Sequence, residues 1–256
     1  MSTRAEWLQA QIAPTKQALD AGDGCHADEA KSLANYLDGK WTAQESATAF
    51  TTPILEDDDP TTALSRPMGL LCEVLVELVD DRDRLLALLA AIQELPPTAQ
   101  INWSDLPGFG NMWSDLYRLY THGAEAWEKS DLPLSGTRTT ELRRHFEATG
   151  ATEAELYLRG LGGVTAHWGY ETLSLISKER VGVEVFISSM HAWLKKAGMK
   201  LKQDLNRNEI RIDGGELPMA DYWESWKNAF LKASGEDGFS STEARQLAAE
   251  CHELMK

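Results

Sequence analysis

Apolar residues recur along most of the chain at intervals of three and four, the spacing that places them on one face of an α-helix. Ala30, Leu33, Tyr36 and Leu37 follow this spacing, and Gly39 ends their segment. The pattern therefore predicts a helix before Gly39. Comparable helical patterns cover residues 42–50, 68–79, 85–95, 111–129, 139–163, 165–178, 182–198, 220–235 and 240–256.

Capping boxes mark several predicted helix starts. In this motif a Ser or Thr hydroxyl accepts a hydrogen bond from a backbone amide while a Glu three residues later reaches back. The sequence predicts capping boxes at Thr42–Glu45, Thr152–Glu155 and Ser240–Glu243. The second of these separates residues 139–150 from 151–163, which are predicted as two helices. A first helix over residues 3–20 is expected to be strained near Pro14.

The number of helical segments predicts the fold class. About a dozen helices and almost no strands indicate an all-α fold, a compact single domain of antiparallel helices over residues 1–256. Residues 208–214 are the exception, because Ile210 and Ile212 alternate with polar residues before a Gly-Gly turn. This pattern allows at most one short strand or hairpin there.

Charge and composition narrow the expected partners. The formal net charge is −15 and no basic cluster offsets it, so we expect neither nucleic acid nor an anionic membrane as a partner. No apolar run reaches the roughly 18 residues of a membrane-spanning helix. Cys25, Cys72 and Cys251 are too scattered for a disulfide framework, and reduced thiols favour a cytoplasmic location. The sequence leaves the oligomeric state open.

Motifs for metals and cofactors are weak or absent, and we expect neither. Acidic residues cluster at 56–60 and 80–83, where they could bind a magnesium diphosphate, but their places beside a proline and at a helix start favour helix-capping roles. The neighbours Cys25 and His26 are interpreted as a turn and a helix start. Neither a zinc-protease helix, a phosphate-binding loop nor a serine-hydrolase elbow is present.

One stretch offers candidate chemistry, "GGVTAHWGYETLS" at residues 162–174. On a helix, His167, Tyr170, Glu171 and Ser174 share one face. A His and a Glu within reach can pass a proton, and a Tyr can donate to a developing oxyanion. We therefore take His167, Tyr170 and Glu171 as candidate catalytic residues. The alternative is a solvated face, or a buried His bonded to Glu for structural reasons.

The chain contains nine tryptophans, a high number for its length. Large aromatic side chains fill protein cores, and they also line apolar ligand pockets. Trp168 stands beside the polar stripe. Trp168, Trp113, Trp223 and Trp226 are the candidate ligand-binding residues, with core packing as the alternative reading of each.

Three stretches carry a resemblance to a known family: "LLALLAAIQELPP" at 85–97, "HAWLKKAG" at 191–198, and the segment from "YWESWKNAF" at 222–230 to the C-terminus. Together they resemble a fungal family of all-helical proteins described only as a domain of unknown function. The likeness spans residues 65–256. It implies a helical fold, a fungal origin and a link to specialised metabolism, and it implies no catalytic residues.

Two hypotheses about function follow. The first is a binding protein, or a cofactor-free isomerase or cyclase, that acts on a hydrophobic small molecule in an aromatic-lined cavity of roughly 300 Å³ or more. The second is a non-enzymatic protein–protein interaction module with an exposed apolar patch or a groove between helices. The many tryptophans favour the first hypothesis, and the missing catalytic motifs favour the second.

Overall fold

The computed structural model describes residues 3–118, 136–177, 182–205 and 219–256. The predicted all-α fold with about a dozen helices is confirmed. Within those ranges, the only β pairing is an isolated parallel bridge between Ile12 and Cys25. The strand predicted at residues 208–214 lies outside the described residues.

Contacts between Cα atoms divide the chain into two compact units. Unit 1 comprises Met1–Arg118 with Leu161–Gly163, and unit 2 comprises Leu119–Gly160 with Val164–Lys256. The expectation of one domain over residues 1–256 stays a prediction.

Unit 1 is built from short and medium-length helices joined by tight turns. One turn of 3-10 helix joins the sixth helix to the seventh, and a short π-helical segment follows the eighth. The helices are α1 (Arg4–Ala10), α2 (Lys16–Asp20), α3 (Ala27–Leu37), α4 (Ala43–Leu55), α5 (Pro60–Ala63), α6 (Ser65–Glu77), α7 (Arg82–Gln93) and α8 (Phe109–Trp113).

Unit 2 contains the longer helices. A single turn of 3-10 helix, Leu175–Ser177, follows the second of them. The described helices are α9 (Gly136–Arg159), α10 (Ala166–Ser174), α11 (Val183–Leu205), α12 (Met219–Ser234) and α13 (Thr242–Leu254).

The predicted first helix is interrupted, and the prediction of one helix over residues 3–20 is wrong. Helix α1 ends at Ala10, and the chain then pairs with a later segment. The Ala13 amide donates to the Cys25 carbonyl (3.0 Å), and the Cys25 amide donates to the Gln11 carbonyl (2.7 Å). Because Pro14 has no amide hydrogen and disfavours the helical conformation before it, the helix stops and α2 begins afresh.

One predicted capping box is confirmed and another is wrong. At the start of α4, Thr42 Oγ1 accepts from the Glu45 amide (3.2 Å) and Glu45 Oε2 accepts from the Thr42 amide (2.8 Å). Thr152 instead lies inside α9, fully buried, where its hydroxyl donates to the Ala148 carbonyl (2.8 Å). The capping box with Glu155 does not form, because α9 runs without a break.

The third predicted capping box is displaced by one residue. Ser241, not Ser240, caps α13, and its hydroxyl accepts from the Ala244 amide (3.3 Å). The Ser240 hydroxyl donates to Glu184 at the start of α11 (2.9 Å), whose carboxylate also accepts from the Ser241 amide (2.6 Å). The carboxylate of Glu184, on another helix, therefore accepts the N-cap amide hydrogen bond that the predicted capping box assigned to Glu243.

One residue from each acidic cluster lies at a helix start. Asp59 caps α5 and accepts hydrogen bonds from the amides of Thr61 (3.2 Å) and Thr62 (3.3 Å). Asp81 precedes α7 and pairs with Arg4, with 3.2 Å between Arg4 Nη1 and Asp81 Oδ2. Asp59 therefore caps a helix, and Asp81 stands at a helix start without a capping hydrogen bond.

Helices α9 and α11 run parallel in unit 2. The Phe146 and Phe186 rings are 4.4 Å apart between centroids. About two helical turns further along both helices, Trp193 Nε1 donates to Glu153 Oε2 (2.9 Å). Residue numbers rise together along both helices, which fixes their relative direction. The neighbouring helices of this fold are therefore not all antiparallel.

Gly150 lies at a close approach between α9 and α11. A Cβ atom at this position would lie 2.5 Å from Ser189 Oγ and 2.7 Å from Ser189 Cα. Both distances are far inside van der Waals contact, so a side chain there would push the helices apart. Gly150, the last residue before the predicted helix break, is therefore required by packing within one long helix.

We expect Gly150→Ala to lower the free energy of unfolding by about 1–3 kcal/mol, the usual cost of overpacking. Gly198→Ala on α11 is the matched control. Its Cβ would meet Leu194 Cδ2 at an ordinary 3.6 Å, so alanine should keep or raise stability. Urea denaturation of the two variants measures the difference. Equal stabilities would contradict the close approach.

A buried histidine links α11 to α13. His191 Nε2 lies 3.0 Å from Glu250 Oε2, and the imidazole is only 12% exposed. Burial lowers the pKa of His191 below its usual value; Glu250 and Glu147 oppose this effect, and Lys195 adds to it. The folded protein therefore binds a proton on this side chain less readily than the unfolded chain.

This difference makes stability depend on pH. Because the unfolded chain takes up the proton first, His191 should reduce the stability of the fold as the pH falls below about 6.5. We expect the stability difference between the wild type and His191→Gln to be constant above that pH and to shift against the wild type below it. Denaturation curves collected from pH 8 to pH 5 measure it. A difference that does not change with pH would contradict the assignment.

Candidate functional site

Helix α10 brings two of the predicted catalytic residues together. His167 Nε2 lies 3.1 Å from Glu171 Oε1, as their spacing of four residues predicts. The side chains are 41% and 39% exposed. An exposed pair of this kind contributes about 0.3–0.5 kcal/mol to stability.

Tyr170, the third predicted catalytic residue, lies in the core of unit 2. Its hydroxyl donates to the Leu201 carbonyl on α11 (2.9 Å), and its ring stacks on Trp226 with 6.1 Å between centroids. Burial raises the pKa of this phenol well above its usual value. The hydrogen bond fixes α10 against α11. The catalytic assignment of His167, Tyr170 and Glu171 stays a prediction.

Three of the four tryptophans predicted to bind a ligand fill the cores of their units. In unit 2, Trp226 is buried, and buried Trp223 donates from Nε1 to the Met255 carbonyl (3.1 Å). In unit 1, Trp113 is buried and its ring lies 4.6 Å from that of Tyr117. Trp168 is half-buried. Trp127 lies outside the described residues.

Unit 1 contains an open cleft of about 490 Å³ that the sequence did not indicate. Helices α2, α3 and α4 form its walls, and Arg66 from α6 closes one end. We call it the α3–α4 cleft. It is lined by Lys16, Leu19, Asp20, His26, Asp28, Lys31, Trp41, Ala49, Thr52, Pro53, Glu56, Asp57 and Arg66.

Because α3 and α4 pack antiparallel, the cleft has an apolar end and a polar end. The helices are joined by a short turn, and the buried hydroxyls of Ser32 and Ser46 lie 2.8 Å apart and each donates to the other helix. Trp41, next to the turn, therefore lies at one end. The first turn of α3 and the last turn of α4 meet at the other end, beside Arg66.

Arg66 is held by a fully buried carboxylate. Its Nη2 donates to Glu29 Oε1 (2.9 Å) and its Nε lies 3.4 Å from Glu29 Oε2. Glu29 is 0% exposed and Arg66 14%. The same carboxylate caps α3 by accepting from the His26 amide (2.7 Å). These hydrogen bonds compensate the cost of removing the Glu29 charge from water.

One edge of the Arg66 guanidinium remains available to the cleft. Nη1 makes no hydrogen bond with any residue in the described ranges, and it is not among the buried polar atoms that lack a partner. It therefore has access to solvent. His26, also on the cleft wall, has a buried Nδ1 without a hydrogen-bond partner in that part of the chain.

Most other charged groups of the cleft carry no ion pair. This holds, among the residues that the structure describes, for Lys16 and Lys31 and for the acids Asp20 and Glu56. Cations and anions nearly balance. The cations are Lys16, Lys31 and Arg66, and the acids are Asp20, Asp28, Glu56 and Asp57.

Cys25, the residue before His26, is not an activated nucleophile. Its thiol is buried, and burial raises its pKa to about 11, with the charge of Glu29 adding to the shift. At neutral pH the thiol stays protonated, so it is a poor nucleophile. The interpretation of Cys25 and His26 as a turn and a helix start is confirmed, because His26 is the N-cap of α3.

Two further features of the described ranges bear on the kind of site. No three His, Cys, Asp or Glu side chains there are grouped so that they could hold a metal ion. The helices in the same ranges are all too short or too polar to cross a membrane.

The sequence did contain one signal for this site. Glu29 shares a helical face with Leu33, Tyr36 and Leu37, which are all buried. A charged residue on a face that packs into the core is costly unless a partner satisfies it. The signal predicts that a partner exists. It does not identify Arg66, which is 37 residues away.

We expect Glu29→Gln to lower the free energy of unfolding by about 3 kcal/mol, because it leaves Arg66 without its buried counter-charge. Glu45→Gln is the matched control. Glu45 occupies the equivalent capping position of α4 but is exposed and has no arginine partner among the described side chains. Chemical denaturation should give a clearly smaller loss for the control. Equal losses would show that only the capping hydrogen bond matters.

Comparison of the chain with protein-family models, with curated proteins and with solved structures gives no match. The resemblance to a fungal helical family and the fungal origin that it implies therefore stay expectations.

Proposed function

We propose that the protein reversibly binds a small amphipathic molecule in the α3–α4 cleft. The observation that carries the proposal is the cleft itself: about 490 Å³, open to solvent, with a half-buried indole at one end and charged groups at the other. This volume falls within the range of ordinary ligand sites, which combine apolar walls with a few polar groups.

The proposal keeps the hypothesis of small-molecule binding and changes its site and ligand. Trp41, Leu19 and Pro53 supply apolar surface, and Arg66 supplies a charged group in a fixed position. A ligand that fits both surfaces has an apolar part and a charged part. An aromatic cavity around His167 and Trp168 remains the earlier alternative.

A protein–protein interaction module is the second candidate. It is favoured by two exposed apolar side chains in unit 2, Met199 (72% exposed) on α11 and Leu231 (53% exposed) on α12. Single exposed apolar residues are common on soluble proteins. This candidate therefore ranks below the cleft.

A cytoplasmic location is part of the proposal. Cys25, Cys72 and Cys251 are free and buried, as expected for a protein folded under reducing conditions. The acidic character of the chain argues against nucleic acid as the ligand.

Filling the cleft tests the proposal. Ala49 lines the cleft, and its neighbour Thr48 on α4 is exposed outside it. We expect ligand-observed NMR to detect binding from a library of charged aromatic and aliphatic fragments. Ala49→Phe should weaken that binding at least about tenfold because the ring occupies the ligand's space, whereas Thr48→Phe should leave it unchanged.

Two results would contradict the proposed function. One is a wild-type protein that binds no fragment at millimolar concentration. The other is binding that Ala49→Phe does not weaken, which would place the ligand elsewhere. Far-UV circular dichroism of both variants verifies that they are folded.

A further inference from the structure

We propose that the α3–α4 cleft selects an amino-acid-like zwitterion, whose carboxylate pairs with Arg66 and whose ammonium group faces the acidic end of α4. This inference rests on the proposed function and names the chemical class of its ligand. The apolar side group of the ligand would lie along the cleft toward Trp41.

The carboxylate end is defined by the fixed guanidinium of Arg66. Glu29 accepts hydrogen bonds from Nε and Nη2 of the guanidinium, and Nη1 has access to solvent. An arginine held in place by a buried acid loses little side-chain freedom when it binds a ligand. Its hydrogen bonds to a carboxylate are charge-assisted, which makes them among the stronger ones available.

One neighbour on α3, Lys31, supports an anionic group at this end, whereas Asp28 on the same helix opposes it. Lys31 lines the cleft and has no ion pair with any described residue. The Nδ1 atom of His26 is buried and lies 4.0 Å from Asp28 Oδ2, so it is not counted among the ligand contacts. A carboxylate next to Arg66 would therefore have one guanidinium and one ammonium group as donors.

The ammonium end is defined by the C-terminus of α4. The last helical residue is Leu55, and Glu56 and Asp57 follow it on the cleft wall. The carbonyl groups at a helix C-terminus carry partial negative charge, which adds to that of the two carboxylates. Because the first turn of α3 lies beside the last turn of α4, this negative region adjoins Arg66.

The near balance of charge in the cleft favours a ligand with both signs. A purely anionic ligand would be repelled by the four acids, and a purely cationic one by the two lysines, because Glu29 largely offsets the charge of Arg66. A zwitterion places each of its charges next to an opposite one. The remaining space between the charged end and Trp41 suits an apolar group such as an aromatic ring.

Three small probes that differ only in charge test this inference. L-Phenylalanine carries both charged groups, 3-phenylpropanoate carries only the carboxylate, and 2-phenylethylamine carries only the ammonium group. We expect isothermal titration calorimetry at neutral pH to give a Kd for L-phenylalanine at least about tenfold lower than for either of the others.

Two variants assign the charges to residues. Arg66→Met should bring the affinity for L-phenylalanine down to that for 2-phenylethylamine. Glu56→Gln should bring it toward that for 3-phenylpropanoate. Since Arg66→Met leaves Glu29 buried without its partner, the variant is first checked for folding. Glu56 is exposed, so we expect Glu56→Gln to fold normally. This variant tests the zwitterion even if Arg66→Met does not fold.

The outcomes separate this inference from the proposed function. If 3-phenylpropanoate or 2-phenylethylamine binds as tightly as L-phenylalanine, the zwitterion is wrong while binding in the cleft stands. If none of the three probes binds but other fragments bind in a way that Ala49→Phe abolishes, the zwitterion is again wrong. If no fragment binds at all, both the zwitterion inference and the proposed function are wrong.

Discussion

The carboxylate of Glu29 is buried without any contact with water, so unit 1 must supply its hydrogen bonds and its counter-charge. A buried charge must be paired and hydrogen-bonded, or the fold loses several kcal/mol. The His26 amide and the Arg66 guanidinium meet this requirement, and in doing so they join the start of α3 to α6. The interaction that stabilises the unit also fixes Arg66 at the end of the cleft. Stability and the proposed binding site thus depend on one ion pair.

Unit 2 is governed by a steric constraint instead. Gly150 lets α9 and α11 run parallel at a distance that no side chain would permit. The large aromatic residues of the unit, Trp193 and Trp226 among them, are buried in its core. The polar side chains of α10 divide accordingly: His167 and Glu171 form an exposed pair, and Tyr170 bonds to the backbone of α11. Each of these contacts stabilises the unit, and the catalytic assignment of the three residues stays a prediction.

The features that the sequence predicted correctly are those set by neighbours along the chain. The capping box at Thr42 and the closeness of His167 to Glu171 involve residues three or four apart, where helical geometry fixes the distance. The partner of Glu29 lies 37 residues away, and no local pattern points to it. The capping box at Thr152 was wrong because a Thr followed three residues later by a Glu can also lie inside a helix, where the hydroxyl bonds to the preceding turn. Helical phase placed Tyr170 on a face but could not say what covers that face.

The central claim is that Arg66, held by Glu29, is the anchor of a ligand site in the α3–α4 cleft. A crystal structure of the protein grown with L-phenylalanine tests it most directly. We predict the ligand in the cleft, its carboxylate within hydrogen-bond distance of Arg66 Nη1, its ammonium group near Glu56, its ring toward Trp41, and the Arg66–Glu29 pair unchanged. An empty cleft at saturating ligand, or a ligand bound away from Arg66, would contradict the account.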